Sequence, residues 1–178
     1  AAKAMRLAWL RDFAALPAGR DRPLRSFVAR DHDASQVVGY GKAAFVFHML
    51  RRQIGDAAFR AGIRRFYADH RLQRAGWADL RGSFEAVTGR DLRGFFEQWL
   101  DRTGAPRLTL AEANVSADGH AVDLVLRQDE PAYDLVVPVT IRTEQGSTRH
   151  EVALAGPQTQ VTLEAQTRPR AVAIDPDH

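Results

Sequence analysis

Cysteine is absent from the 178 residues. That excludes a disulfide framework, a cysteine nucleophile and a thiolate metal site, and it leaves the redox compartment open. Lysine is nearly absent too: Lys3 and Lys42 stand among 25 Lys and Arg. No apolar run approaches the roughly 18–20 residues of a membrane-spanning helix. The stretch from Ala1 to Leu10 lacks the basic, then apolar, then small pattern of a signal peptide, so none is expected there. Disorder and low complexity are poor readings, because 45% of residues are hydrophobic and 26% charged, close to the soluble globular average. The length suits one domain or two small ones, with enough chain to bury a core.

The formal net charge of +3 hides an uneven split, with +8 over residues 1–104 and −5 over residues 105–178. A basic half can mark a surface for nucleic acid or another acidic partner, or simply a solvated helical face. Phe59, Phe66, Phe95, Phe96 and Trp99 fall on apolar faces rather than among the arginines, which argues against single-strand recognition.

The hydrophobic pattern changes at Gly104-Ala105-Pro106. Before it, apolar residues recur at helical spacing; after it, they alternate. Met5, Ala8, Trp9, Asp12 and Phe13 share a stripe, so a helix is expected through about Leu16, where Pro17 ends it. Residues 17–36 are polar and read as a surface connection. Ala43 to Leu50 is apolar except for His48, which reads as a deeply buried helix with part of its surroundings missing from this chain. Gly55 caps it, and Asp56 opens a helix whose inner face is read as Phe59, Ile63, Phe66, Tyr67 and His70. A helix is expected over 78–87. Asp91 caps the next, in which Leu92, Phe95, Phe96, Trp99 and Leu100 make the cleanest amphipathic stripe.

Beyond Pro106 six short strands are expected, with turns at Asp118-Gly119, Gln145-Gly146 and Gly156-Pro157, forming a small sandwich. Pro138 cannot donate to a ladder, so its strand should be an edge or bulged there. The fold class expected is α+β: helices over 1–104 followed by a small antiparallel β-sandwich over 105–178.

Chemistry-bearing patterns are sparse. A zinc hydrolase helix wants His-Glu-x-x-His. His150-Glu151-Val152-Ala153-Leu154 has Leu154 where the second His should stand, and it alternates like a strand. Asp31-His32-Asp33 is a compact cluster in a polar loop without a distant partner. None of the five serines sits in Gly-x-Ser-x-Gly, and no phosphate loop is present. Two features remain. Tyr40 stands between Gly39 and Gly41, ahead of the apolar helix, where its hydroxyl can face a cleft or the ring can be core. Lys42 lies in a first helical turn, where a cation is disfavoured, which suggests an acidic partner or a role.

These residues resemble the end of the catalytic domain of the M1 family of zinc aminopeptidases. Tyr40-Gly41-Lys42-Ala43 is similar to the family's Tyr-Glu-Lys-Gly before an apolar helix, with Gly41 replacing Glu and Ala43 replacing Gly. Ile54-Gly55-Asp56-Ala57-Ala58-Phe59-Arg60-Ala61-Gly62 is similar to Leu-Gly-x-x-x-Phe-x-x-Gly, and Gly89-Arg90-Asp91-Leu92 and Trp99 with Gly104-Ala105-Pro106 follow in family order. The resemblance implies the helical C-terminal portion of a thermolysin-like catalytic domain, then the family's β-sandwich. It implies a parent enzyme that removes N-terminal residues from peptides, with zinc as cofactor and its ligands upstream of Tyr40, where this chain has none of them. Tyr40 is then the one catalytic residue expected here, donating a hydrogen bond to the oxyanion, with no metal or cofactor ligand in this chain and no activity from it alone. Peptide is the implied partner, without nucleic acid or a membrane span, and bacterial relatives favour the cell envelope or periplasm over the cytoplasm. The alternatives are a non-enzymatic helix-plus-sandwich module and a degenerate M1 relative without zinc, either offering its basic face to an acidic partner.

Overall fold

The computed structural model describes residues 2–17, 19–28 and 35–177; the Asp31-His32-Asp33 cluster lies outside them. The chain divides into two compact units, Ala1–Gly104 and Ala105–His178. The first holds helices α1 (Ala2–Ala14), α2 (Ala43–Ile54), α3 (Asp56–His70), α4 (Trp77–Thr88) and α5 (Arg93–Asp101). The second holds strands β1 (Leu108–Val115), β2 (Ala121–Gln128), β3 (Asp134–Thr143), β4 (Gly146–Ala155), β5 (Gln158–Glu164) and β6 (Ala171–Ile174). This is an α+β arrangement, as expected.

In the helical unit the buried set includes Leu50, Leu80, Phe84, Leu92, Phe96, Trp99 and Leu100. The α5 stripe forms because Leu92, Phe96, Trp99 and Leu100 return to one side of the helix every turn. Its start is fixed by polar bonds: the Arg93 amide donates to Asp91 Oδ1 at 2.8 Å and the Leu92 amide to Glu85 Oε1 at 3.0 Å. Gly55 ends α2 at φ +83° and ψ 160°, a region that glycine enters without strain but outside the left-handed helical well. Asp56 opens α3 and takes two hydrogen bonds of 2.7 Å from Arg51.

Three expectations for this unit change. The polar connection is not all surface, because Leu24–Ser26 forms a 3₁₀ turn with Leu24 buried. Helix α2 is not deeply buried: only Val46 and Leu50 are, while Phe45, Phe47 and Met49 are half-buried. The inner face of α3 is narrower than its apolar pattern suggests, since Ile63 and Tyr67 are exposed. The reason is Gly62. A Cβ there would lie 2.2 Å from Phe84 Cδ1, so α3 meets α4 at its glycine, with Phe59 beside Phe84 at a ring separation of 5.5 Å. That axis of approach turns Ile63 and Tyr67 outward.

The second unit is two three-stranded antiparallel sheets, ordered β1-β2-β5 and β4-β3-β6. Period-two alternation puts Val122, Leu124 and Leu126 from one sheet and Val137, Val139, Ile141, Val152 and Leu154 from the other into a shared core. The buried Gln128 satisfies the corner between strands: its Nε2 donates to the carbonyls of Tyr133 and Gly156, both at 2.7 Å, and its Oε1 accepts from the Tyr133 amide at 2.9 Å. Contrary to expectation, the strand bearing Pro138 is central and its register against β4 is unbroken. The Pro138 carbonyl accepts from the Asp175 amide at 2.8 Å, just past the last β6 residue. The donor that proline lacks faces that same side, where β6 has ended, so little is lost. The irregularity falls instead in β1, between Leu110 and Glu112. His150-Glu151 lies on β4 with Leu154 in the core, so that segment is no metal-binding helix. No helix of the described residues is long and apolar enough to cross a membrane.

The α3–α4 contact predicts opposite outcomes for two glycines. Gly62→Ala destabilises by about 1–3 kcal/mol through overpacking. Gly82→Ala, on the open side of α4 with no atom within 4 Å of the added carbon, stabilises by roughly 0.5–1 kcal/mol. Urea denaturation of the two variants checks both; a harmless Gly62→Ala refutes the packing account.

Candidate active site

Tyr40 is not ahead of the helix but inside it. Residues 35 and 36 are already helical, and Val37–Lys42 forms a π-helical turn that runs directly into α2. Such turns are rare and recur at functional sites. Within the turn Val38, Gly39, Gly41 and Lys42 are buried, while Tyr40 is 54% exposed.

The neighbours explain both facts. A Cβ on Gly39 would come within 2.3 Å of the Phe27 ring, so only glycine lets the turn lie against that phenylalanine. Phe27 then meets Tyr40 edge to face, with ring centroids 5.6 Å apart and an interplanar angle of 71°, an arrangement worth about 0.5–1.5 kcal/mol. On the other side a Cβ added to Gly41 would meet Trp9 at ordinary contact distance, 3.6 Å from its Cβ. Trp9 in turn packs edge-on against Phe45 of α2, at 6.1 Å. The phenol is thus braced on one edge and open on the other. Beside it lies a solvent-open groove of about 480 Å³ lined by Trp9, Asp12, Gln36, Val37, Tyr40 and Gly41.

Lys42 has neither a surface carboxylate nor a place in the groove. It is 8% exposed. Its Nζ donates to the Arg102 carbonyl at 2.7 Å and to the Gly104 carbonyl at 3.3 Å. These carbonyls lie just past α5, where the negative end of the helix dipole favours a cation. Asp21 joins the cluster: its Oδ2 accepts from the Gly104 amide, and its Oδ1 is buried without a hydrogen-bond partner among the described residues. Burial pulls the Lys42 ammonium below the ordinary lysine range; Asp21 opposes that pull and Arg102 reinforces it. A second tie holds the segment that carries Phe27. Arg25 donates through Nε and Nη2 to the two oxygens of Asp101, the Nη2 bond being 3.0 Å.

The sequence pattern pointed to Tyr40 and Lys42 but carried no signal for Phe27, Asp21, Gln36 or Val37 at this site. Only Lys42 gave a signal of its surroundings, as a cation at the mouth of an apolar run.

Comparison with known proteins gives this geometry a context. Residues 18–99 match the model of the peptidase family M1 domain. Those residues are similar to an M1 peptidase domain. Aminopeptidase N of Streptomyces lividans is 29% identical over 117 residues, covering 66% of this chain and 13% of that protein. Aminopeptidase N of Lactococcus lactis is 33% identical over 67 residues, covering 38% of this chain and 8% of that protein. The structure of Legionella pneumophila aminopeptidase A in complex with aspartic acid superposes with a TM-score of 0.67 at 18% identity, covering 81% of this chain and 18% of that one; that likeness shows a shared fold. The chain therefore spans only a small part of these relatives.

The M1 family is zinc-dependent. Among the described residues no group of three or more His, Cys, Asp or Glu side chains could hold a metal ion, so they do not fit a zinc site.

The Arg25–Asp101 pair makes a pH prediction. Its hydrogen bond from Arg25 holds the Asp101 carboxyl below the ordinary aspartate range. The stabilisation is present above the unfolded-state pKa and is lost as pH falls through the lower folded-state value. Both side chains are nearly half exposed, so the contribution is at most about 1 kcal/mol. Asp101→Asn should lower stability at pH 6 and converge on the parent near pH 2, read by urea denaturation at each pH. A constant difference across that range contradicts the assignment.

Proposed function

We propose that this chain is part of a longer M1-type aminopeptidase, with residues 1–104 as the helical end of the catalytic domain, residues 105–178 as a β-sandwich domain, and Tyr40 as the residue that touches the reacting carbonyl. The observation that carries this reading is the exposure of Tyr40 in a largely buried π-turn, on the rim of an open groove. A ring serving only the core would be turned inward like Val38 beside it.

The chemistry follows from the phenol. When an acyl carbon is attacked, its oxygen gathers negative charge. A fixed O–H donor bonds that oxyanion more strongly than it bonds the neutral carbonyl, so the barrier falls. Phe27 restrains the ring and the buried flanks restrain its backbone, so little reorganisation is needed when the charge develops. The substrate class is a peptide with a free N-terminus, in keeping with relatives named aminopeptidases. The half-buried Phe45, Phe47 and Met49 of α2 suit a further protein layer over this helix. Residues able to hold zinc belong, in this reading, to the rest of the longer protein, and the 178-residue chain alone cleaves nothing.

Tyr40→Phe in the longer peptidase removes one donor and keeps the ring. Turnover should fall by about 10²–10³, with KM changed little and the melting temperature unchanged. Turnover within a factor of about three of the parent would reject the role.

A further inference from the structure

We infer that Lys42 is the positioning residue of this site: by tying the π-helical turn to the end of α5, it fixes the direction in which Tyr40 points. The inference rests on the reading of Tyr40 as the reacting-carbonyl donor, but the geometry stands separately. A π-helical turn is rare and occurs mostly as a single turn inserted in α-helix, the commoner form of the same backbone. Something outside must hold it. Gly39, lying close against Phe27, restrains it sideways through packing. Lys42 restrains it along the chain, because its Nζ reaches carbonyls 60 and 62 residues away.

Relaxing the turn to α-helix rotates every residue before α2 about the helix axis. Rotation at Lys42 would cost its ammonium both carbonyl acceptors and carry a buried cation away from Asp21. That cost opposes the rotation. Tyr40, two residues upstream in the same turn, is carried by whatever Lys42 does. The lysine touches neither the groove nor any substrate placed there; it acts through the backbone.

The test uses amide hydrogen exchange of the 178-residue chain, followed by NMR, with Leu80 and Phe84 of α4 as internal reference. In Lys42→Met the stem remains and the donors go. Exchange at Gly39, Tyr40 and Gly41 should rise at least tenfold relative to the reference. Because the chain has no cysteine, Lys42→Cys alkylated with 2-bromoethylamine in denaturant and refolded restores an ammonium on a stem of nearly the same length. It should return exchange to within about threefold of the parent. Should Lys42→Met melt below the assay temperature, Lys42→Gln replaces it under the same criteria.

In the longer peptidase Lys42→Met should lower kcat tenfold or more while KM moves less than threefold, as expected when substrate still binds but the donor is misaimed. Unchanged exchange in Lys42→Met, or no recovery on aminoethylation, overturns the positioning role even if Tyr40→Phe proves crippling. Raised exchange with recovery, together with a fully active Tyr40→Phe, upholds the hold on the turn and removes its catalytic purpose.

Discussion

The ammonium of Lys42, buried against the Arg102 and Gly104 carbonyls, is the constraint around which the helical unit is organised. It joins the entry to α2 to the exit of α5. Burying a cation opposes folding unless its protons are bonded and its charge is answered. Here two carbonyls at a helix end and the half-bonded carboxylate of Asp21 do both. With the register fixed, Gly39 can lie flat on Phe27, and Tyr40 emerges from a largely buried turn into the groove beside Trp9.

The other parts of the unit serve that placement at increasing distance. Arg25 paired with Asp101 anchors the segment that presents Phe27. The α5 stripe of Leu92, Phe96, Trp99 and Leu100 seats α5 in the core, so the carbonyls past its end stand on a rigid base. The tight meeting of α3 and α4 at Gly62 sets the remaining packing. The sandwich unit has its own core.

Much of the fold was legible in the residues. The alternation of Val122, Leu124 and Leu126, and of Val137, Val139 and Ile141, announced strands with one buried face, because a pleated backbone turns every second side chain inward. The spacing from Leu92 to Leu100 announced α5 for the matching helical reason. What misled was environment. Pro138 sits in a central strand because its missing donor faces the side where β6 stops, which depends on strand lengths that no local pattern carries. The face of α3 was read too wide because Gly62 offers no apolar signal, although its small size is what lets Phe84 approach. Tyr40 was legible as a candidate from its flanking glycines. The π-turn that holds it was not, because it depends on Lys42 reaching carbonyls some sixty residues later.

The central claim is that the Tyr40 hydroxyl meets the oxygen of the carbonyl under attack. The direct measurement is a crystal structure of the longer peptidase with a phosphinic peptide, whose tetrahedral phosphorus mimics the attacked carbon. The account predicts the Tyr40 hydroxyl within roughly 2.5–3.0 Å of a phosphinate oxygen, with the π-turn and the Lys42 bonds to Arg102 and Gly104 intact. A Tyr40 ring turned away from the inhibitor, with that oxygen bonded by other donors, would contradict it.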